Sequence, residues 1–478
     1  MSPILRNPTS RSCRALILIA AGMVAGAARA DELPPVSEAI DALVREGLRT
    51  NLSLRAQTLE VDRSVATLDA ARSRFFPQLS LEARYTRADG GRQIEIPTGD
   101  LLNPAYTTLN QLLVAQGRPA EFQQIDNISF PLVREREQDT RLTVRQPIFA
   151  PAIPAAVRAE RALVDSSEYG RLALGRRLKR DITVAYLDWL QANKTIAIVE
   201  SSVALLQENL RVNESLFRNG KVTQDQVLRA RAELLAVEQQ RREAENGRAQ
   251  AQSYLNFLLN RDLGTTLQPA QIDTEISSAT ADLAALRAAA LANRPEIQQS
   301  ASGVRASEFQ AQAARSALWP TLALGVDGGT QGERYEFGRG RNFSTISLLL
   351  SWKLFDGGGD RARVRAARAV ARQAVARRDE VAQQIQLEVQ QALDRLETTH
   401  DSLATAAARS DAARAAFRIA SRKRDEGVSS QVEFIDARNA LTSAELNLNS
   451  TRFQLLSRQA ELDYATAAGN LPAAFAAR

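Results

Sequence analysis

The sequence predicts a mainly α protein: long antiparallel helical hairpins, interrupted at fixed places by four short strands. Three observations carry that expectation. Long Ala/Leu/Arg/Gln/Glu segments place apolar residues at spacings of three and four. Short segments between them alternate apolar and polar residues with a period of two. The same order of segments occurs twice along 478 residues, which reads as an internal two-fold sequence duplication.

The chain opens on a segment that reads as an export signal and not as part of the fold. Arg6, Arg11 and Arg14 precede an apolar run from Ala15 to Ala28, and Ala28-Arg29-Ala30 supplies a small-x-small cleavage site before Asp31. A membrane anchor would need about 20 apolar residues, and this run has about 14. Residues 1–30 are therefore expected to be cleaved. A lipoprotein signal would carry its cysteine just after the apolar run; Cys13 lies before it, so no lipid anchor is expected. Four of the 61 basic residues sit in this segment, leaving 57 against 55 acidic ones. The basic pI is thus largely the signal's, and no nucleic-acid partner is implied.

Apolar residues at 44% and charged residues at 24% exclude both a disordered tail and a polytopic helical membrane protein. One His and one Cys leave no material for a zinc site, a thiol nucleophile or a His-based dyad. No enzyme activity, metal or cofactor is expected. His400 lies in a helical Leu396–Leu403 stretch with no catalytic partner in view.

The expected organisation is a first repeat over 31–268 and a second over 269–478. In the first, Phe75-Phe76-Pro77 ends a helix before a strand; in the second, Leu318-Trp319-Pro320 does so. Arg145-Gln146-Pro147-Ile148-Phe149 corresponds to Ser351-Trp352-Lys353-Leu354-Phe355, each opening a long helical segment. Leu228, Ala230, Arg231 and Leu234 then align without a gap with Ile435, Ala437, Arg438 and Leu441. A period of this length marks a duplicated half and not a solenoid, whose repeats run ~20–50 residues.

The helical hairpins are expected over about 151–260 and about 360–468. Ile196, Val199, Val203, Leu206, Leu210 and Phe217 follow 3/4 spacing, with polar Asn213 the exception on that stripe. Leu441, Ala444, Leu448, Thr451, Leu455 and Leu462 form a narrow seam in the second hairpin. The first long arm would be a rod of roughly 100 Å at ~1.5 Å per residue. At the hairpin tips, Gly220 and Gly427 are placed to supply the left-handed C-cap. Thr223 with Gln226, and Ser430 with Glu433, fit the capping box of the helix that follows.

The four strands are expected at about 77–87, 140–149, 320–328 and 343–355. Leu79, Leu81, Ala83 and Tyr85 share one face of the first; Ile346, Leu348 and Leu350 share one face of the fourth. Such alternation suits a strand with lipid on one side and water on the other, and equally a half-buried strand of a soluble sheet. Four strands cannot close a barrel alone, and an open sheet in lipid would leave its edges unsatisfied. They are either soluble or completed by other subunits. The loop from Ala88 to Asp139 spans about fifty residues, the length seen on the extracellular side of barrels.

This order of segments, with Phe76-Pro77, Trp319-Pro320, Gln146-Pro147-Ile148-Phe149, Leu354-Phe355-Asp356-Gly357-Gly358 and the two glycine tips, resembles the TolC-type outer-membrane factors. The resemblance implies a homotrimer whose three chains give four strands each to one 12-stranded β-barrel in the outer membrane. That barrel would continue into an α-barrel tunnel across the periplasm. It implies passive conduction as the exit duct of a tripartite efflux or type I secretion system. The partners would be a periplasmic adaptor protein, docking at the tips, an inner-membrane transporter that supplies energy, and outer-membrane lipid. The family's periplasmic entrance is narrowed by acidic side chains after the second tip glycine, which here match Glu433 and Asp436. Six carboxylates near the axis would make a cation-selective constriction that opens when the helices move apart. Capping for Glu433 and a solvated face for Asp436 are the plainer roles of the same residues. A periplasmic coiled-coil adaptor or scaffold would share the export and the hairpins but not the four strands, and a self-contained porin would need many more strands per chain.

Overall fold

The computed structural model describes residues 33–272, 282–428, 430–472 and 475; the expected export signal lies outside them. Helices α1 (Val36–Thr50) and α2 (Leu52–Ser73) meet at Asn51, whose side chain accepts from Leu54 N at 3.0 Å and caps α2. After α2 the chain enters strand β1 (Gln78–Arg87), and β4 (Arg136–Phe149) returns into the long helix α4 (Ala152–Arg218). Helix α5 (Gln224–Leu258) runs back along α4. In the second half α6 (Leu283–Asn293) and α7 (Pro295–Arg315) lead to β5 (Thr321–Gly332), β6 (Asn342–Ser351) and the second hairpin, α8 (Gly359–Asp425) and α9 (Gln431–Ala465). Both descending arms have 67 residues and both returning arms 35.

The strands form one antiparallel sheet in the order β1–β4–β5–β6. Its boundaries differ from the sequence reading in three places. β4 begins four residues earlier than expected, because Arg136–Asp139 continue the pairing with Arg84–Arg87. β5 runs on to Gly332, because its glycines stay paired with β4 and, as far as Thr330, with β6. The fourth strand stops at Ser351 and not near 355, since Thr321 is its last partner and Pro320 has no N–H to offer. The Trp352 indole instead donates to Leu318 O at 3.3 Å.

The Ala88–Asp139 connection is not a plain loop. β2 (Gln93–Ile96) and β3 (Ile128–Pro131) pair as a ribbon that prolongs β1 and β4, and α3 (Thr98–Ala115) crowns it. Asn103 and Asn110, two turns apart on α3, each exchange hydrogen bonds with the backbone of the returning segment, at Ile125 and Phe122 respectively.

Helices α2, α4, α7 and α8 pack side by side in the order of the strands that they join. The main hydrophobic core lies midway along the rods, where Tyr186, Ile182 and Trp189 of α4 meet Val36 and Val44 of α1 and Leu255 of α5. Tyr186 donates to Gln268 O at 2.8 Å, and burial pushes its phenol up to about 12. A second cluster joins Ala290 of α6 to Ile385 and Val389 of α8 and Leu462 of α9. No described helix is long and apolar enough to cross a membrane.

Candidate functional site

Two regions of the molecule could carry transport: the sheet and the hairpin tips. In the sheet, antiparallel register places the apolar residues of all four strands in common rows. Leu79 lies opposite Val144, Val144 opposite Val326, and Val326 opposite Ile346. On that same face Leu81 meets Leu142, and Leu324 meets Leu348. The side chains of Leu79, Leu81, Ile346, Leu348 and Leu350 are each about two-thirds exposed or more in the single chain. The opposite face is polar: Ser80, Thr143, Asp327 and Thr345 form one row, with Thr143 donating to Asp327 at 2.6 Å. Farther along it Asp139 pairs with Arg141 and lies 3.8 Å from Arg84. Phe75, Phe76, Phe149, Trp319 and Trp352 stand exposed where the sheet meets the helices. An apolar band, a polar face and an aromatic rim are what a bilayer-spanning barrel wall requires. β1 and β6 each keep one edge without a partner strand among the described residues.

The tips are built by the same hydrogen bonds in both hairpins. Gly220 and Gly427 take φ +68° and +73°, a conformation that a Cβ would oppose. Gly220 N donates to Phe217 O and Lys221 N to Leu216 O, both at 2.9 Å. Gly427 N donates to Arg424 O at 2.9 Å and Val428 N to Lys423 O at 2.8 Å. This paired pattern closes the helix end. The caps that follow differ. The Ser430 side chain accepts from Glu433 N at 3.2 Å, as the capping box requires. Thr223 makes no such bond: its hydroxyl is turned to donate to the Asp225 carboxylate two residues on, and Gln226 N reaches only the Thr223 carbonyl, at 3.2 Å. The Thr223–Gln226 capping box is therefore absent. Glu433 stands 3.5 Å from Lys423 across the tip. Asp436 is exposed one turn farther along α9 and has no ion pair among the described residues.

The structure adds residues that the sequence reading left unassigned. Arg438, about two turns into α9, is 5% exposed. It donates to Ser202 Oγ of α4, and its guanidinium lies 5.7 Å from the Phe417 ring of α8. Ser202 and Thr442 hydroxyls are 2.9 Å apart beside it. No carboxylate pairs with Arg438 among the described residues, and burial holds its pKa below the ordinary value. Arg424 is likewise held down by burial, over Phe434 at 4.1 Å and bonded to Asn209. Arg438 Nε, Asn209 Nδ2 and Ser410 Oγ are buried without a hydrogen-bond partner among the described residues. The aligned residue of the first half, Arg231, behaves differently: it is exposed and pairs with Glu214 at 3.0 Å. The signal available was Asn213, which interrupts an apolar stripe and is buried against Asn209.

Higher in the wall Arg294 joins α7 to α8 and α9. It is 4% exposed, binds Glu296 at 2.7 Å and Glu388, and lies 4.9 Å from the Tyr464 ring. Burial opposes its charge, but the two carboxylates more than offset that and raise its pKa. Burial also opposes ionisation of Glu296, yet Arg294 holds this carboxyl below the usual range. Among the described residues no group of three or more His, Cys, Asp or Glu could hold a metal.

Residues 286–468 match the family described as Outer membrane efflux protein. Protein CyaE of Bordetella pertussis is 32% identical over 171 residues, 34% of this chain and 35% of CyaE. The solvent efflux pump outer membrane protein SrpC of Pseudomonas putida is 24% identical over 291 residues, 60% of this chain and 62% of SrpC. The chain thus matches about a third and three-fifths of the lengths of these relatives. The fold is similar to that of the Campylobacter jejuni CmeC outer membrane channel, with a TM-score of 0.76 at 17% identity, covering 97% of this chain and 94% of CmeC. Residues 286–468 thus match the outer membrane efflux protein family by sequence, and nearly the whole chain shares the fold of solved outer-membrane channels.

Proposed function

We propose that the protein is the outer-membrane exit duct of a tripartite efflux or type I secretion system. Three copies close one 12-stranded barrel in the outer membrane and one α-helical tunnel below it. The observation that carries this reading is the sheet, whose four strands bring their apolar faces into register while both its edges lack a partner strand among the described residues. Lipid tolerates such edges only when other strands pair with them. Equal arms of 67 and 35 residues in the two hairpins support an origin by duplication and bring two tips per chain to one depth. The tips, at Gly220, Thr223 and Gln226 and at Gly427 and Ser430, are the surface for a periplasmic adaptor. An inner-membrane transporter supplies the energy.

Glu433 and Asp436 narrow the entrance. Lys423 offsets part of the Glu433 charge, so Asp436 carries more of the cation selectivity. In planar bilayers, Glu433→Ala with Asp436→Ala raises single-channel conductance and weakens block by multivalent cations. Unchanged conductance and block would remove the gate. A soluble periplasmic monomer, in place of a detergent-extracted trimer from the outer membrane, would refute the duct itself.

A further inference from the structure

Helix α3 is fastened along one face only. Gly99, Asn103, Tyr106 and Asn110 meet the returning segment, residues 116–127. An added Cβ at Gly99 would stand 2.4 Å from Ile125 O, so the segment lies tight against the helix. Asn103 donates to Ile125 O and accepts from Ile125 N, both at 2.9 Å. The Tyr106 ring stacks on Phe122 at 5.4 Å, and Asn110 donates to Phe122 O at 2.7 Å.

Beside that face runs a second, apolar stripe. Leu102, Ala105, Leu109 and Leu112 are exposed and follow one another at steps of three, four and three residues. That is the a/d seam of a coiled coil over two heptads. Leu101, 71% exposed, widens it at one edge. At 100° per residue, Thr107 and Gln111 fall on the far side of the helix.

Lipid does not suit this stripe. Residues 98–115 contain no Lys or Arg to meet headgroup phosphates, and Asp100 is their one charge. The returning segment forms neither helix nor strand, so entry into hydrocarbon would leave its backbone groups unpaired. Water does not suit it either, since a contiguous apolar stripe rimmed by polar residues marks a contact surface. Another copy of the same helix does suit it. The heptad seam is self-complementary, and Asp100 lies on the far side, where it repels nothing.

The barrel proposed above brings three such helices within reach. Twelve strands ~4.8 Å apart and tilted by ~40° give a radius of about 12 Å. Three helices packed ~10 Å apart have axes about 6 Å from their common centre, so each α3 must lean in by about 6 Å. The β2–β3 ribbon, four residue pairs or about 13 Å long, supplies the lever. Gly90 and Gly91 stand at its base with φ +75° and +121°, a joint that a side chain would oppose. A lone helix of 18 residues is marginal in water. Fixing three on one rim raises their effective concentration to about millimolar.

We propose that the α3 helices of three copies pack along this stripe as a parallel cluster over the outer end of the duct, and gate its exit. Leu102, Leu109 and Leu112 form the constriction, which stops ions by excluding water. Cargo passes when the helices part at the glycine joint. This inference rests on the trimeric duct reading above and adds an outer gate to it.

Cys13 is the only cysteine of the sequence and precedes the expected cleavage site, so an introduced thiol reports alone. Full-length Leu109→Cys protein, oxidised in outer membranes, should run as a covalent dimer on non-reducing gels, one bridge joining two of the three copies. Leu112→Cys, one layer on, should do the same, and Gln111→Cys should not. With Glu433→Ala and Asp436→Ala also present, oxidation of Leu109→Cys should lower single-channel conductance about twofold, and reduction should restore it. A wild-type trimer that cross-links at neither 109 nor 112, or equally well at 111, would overturn the cluster. Quenching of a bimane label on Leu109→Cys by brominated lipid chains would also overturn it, assigning the stripe to the membrane. Cross-linking without a change in conductance would overturn the gate. A wild-type monomer would instead overturn the duct reading on which the cluster depends.

Discussion

Replacing Arg294 with alanine removes one guanidinium and strands two carboxylates. Glu296 and Glu388 side chains are 19% and 36% exposed, so the first is left largely buried and the second partly so. Breaking a buried pair from one side costs about 3–5 kcal/mol. For 478 residues unfolding together, the entropy of unfolding is roughly 1 kcal/mol/K at ~2.1 cal/mol/K per residue, so the melting temperature should fall by about 4 °C. Circular dichroism at 222 nm on detergent-purified protein reads this directly. The same network sets a pH dependence. The Glu296 pKa is depressed in the fold, so its contribution is present above the unfolded carboxyl value and is lost as pH falls through the folded one. The gap between wild type and Arg294→Ala should be widest near pH 7 and narrow as the pH falls, because burial makes the unpaired Glu296 of the variant take up a proton before the paired one of the wild type does. A variant that melts with wild type at pH 7, or a gap that widens in acid, would refute the reasoning.

Arg438→Met should behave in the opposite sense. It removes a buried charge with no carboxylate partner, so stability should be unchanged or rise by about 1–4 kcal/mol, read as resistance of the tip to limited proteolysis. Ser430→Ala should cost about 1 kcal/mol by loss of its cap bond, whereas Thr223→Ala should be nearly neutral; equal effects in thermal melts would contradict the difference between the two tips. At Gly329 an added Cβ would stand 2.2 Å from Thr140 O, so Gly329→Ala should force β4 and β5 apart and lower the yield of folded protein in the outer membrane, measured by heat-modifiable migration on gels.

Periodicity made the rods and strands legible, because each presents a long, repetitive apolar face. Ala152–Arg218 reads as one helix through Gly170 and Gly175, and the matched glycines mark both tips. What was not legible depends on contacts distant in sequence. Arg231 and Arg438 occupy aligned positions, yet only the latter is enclosed by α4 and α8. The end of β6 is set by a partner strand and Pro320, not by its own alternation, which continues to Leu354. Thr223 loses its cap to Asp225, a competition that the S/T-x-x-E/Q pattern does not encode.

The equal arms also act as a gauge. Removing one residue from a single arm would lift its tip by ~1.5 Å and turn every side chain beyond it by ~100°. Inherited or engineered changes of reach are thus confined to matched steps in all four arms. A heptad step alters the span by about 10 Å with only ~20° of drift. A shortened variant with seven residues cut from each arm should still assemble, while the same cut in one hairpin alone should not.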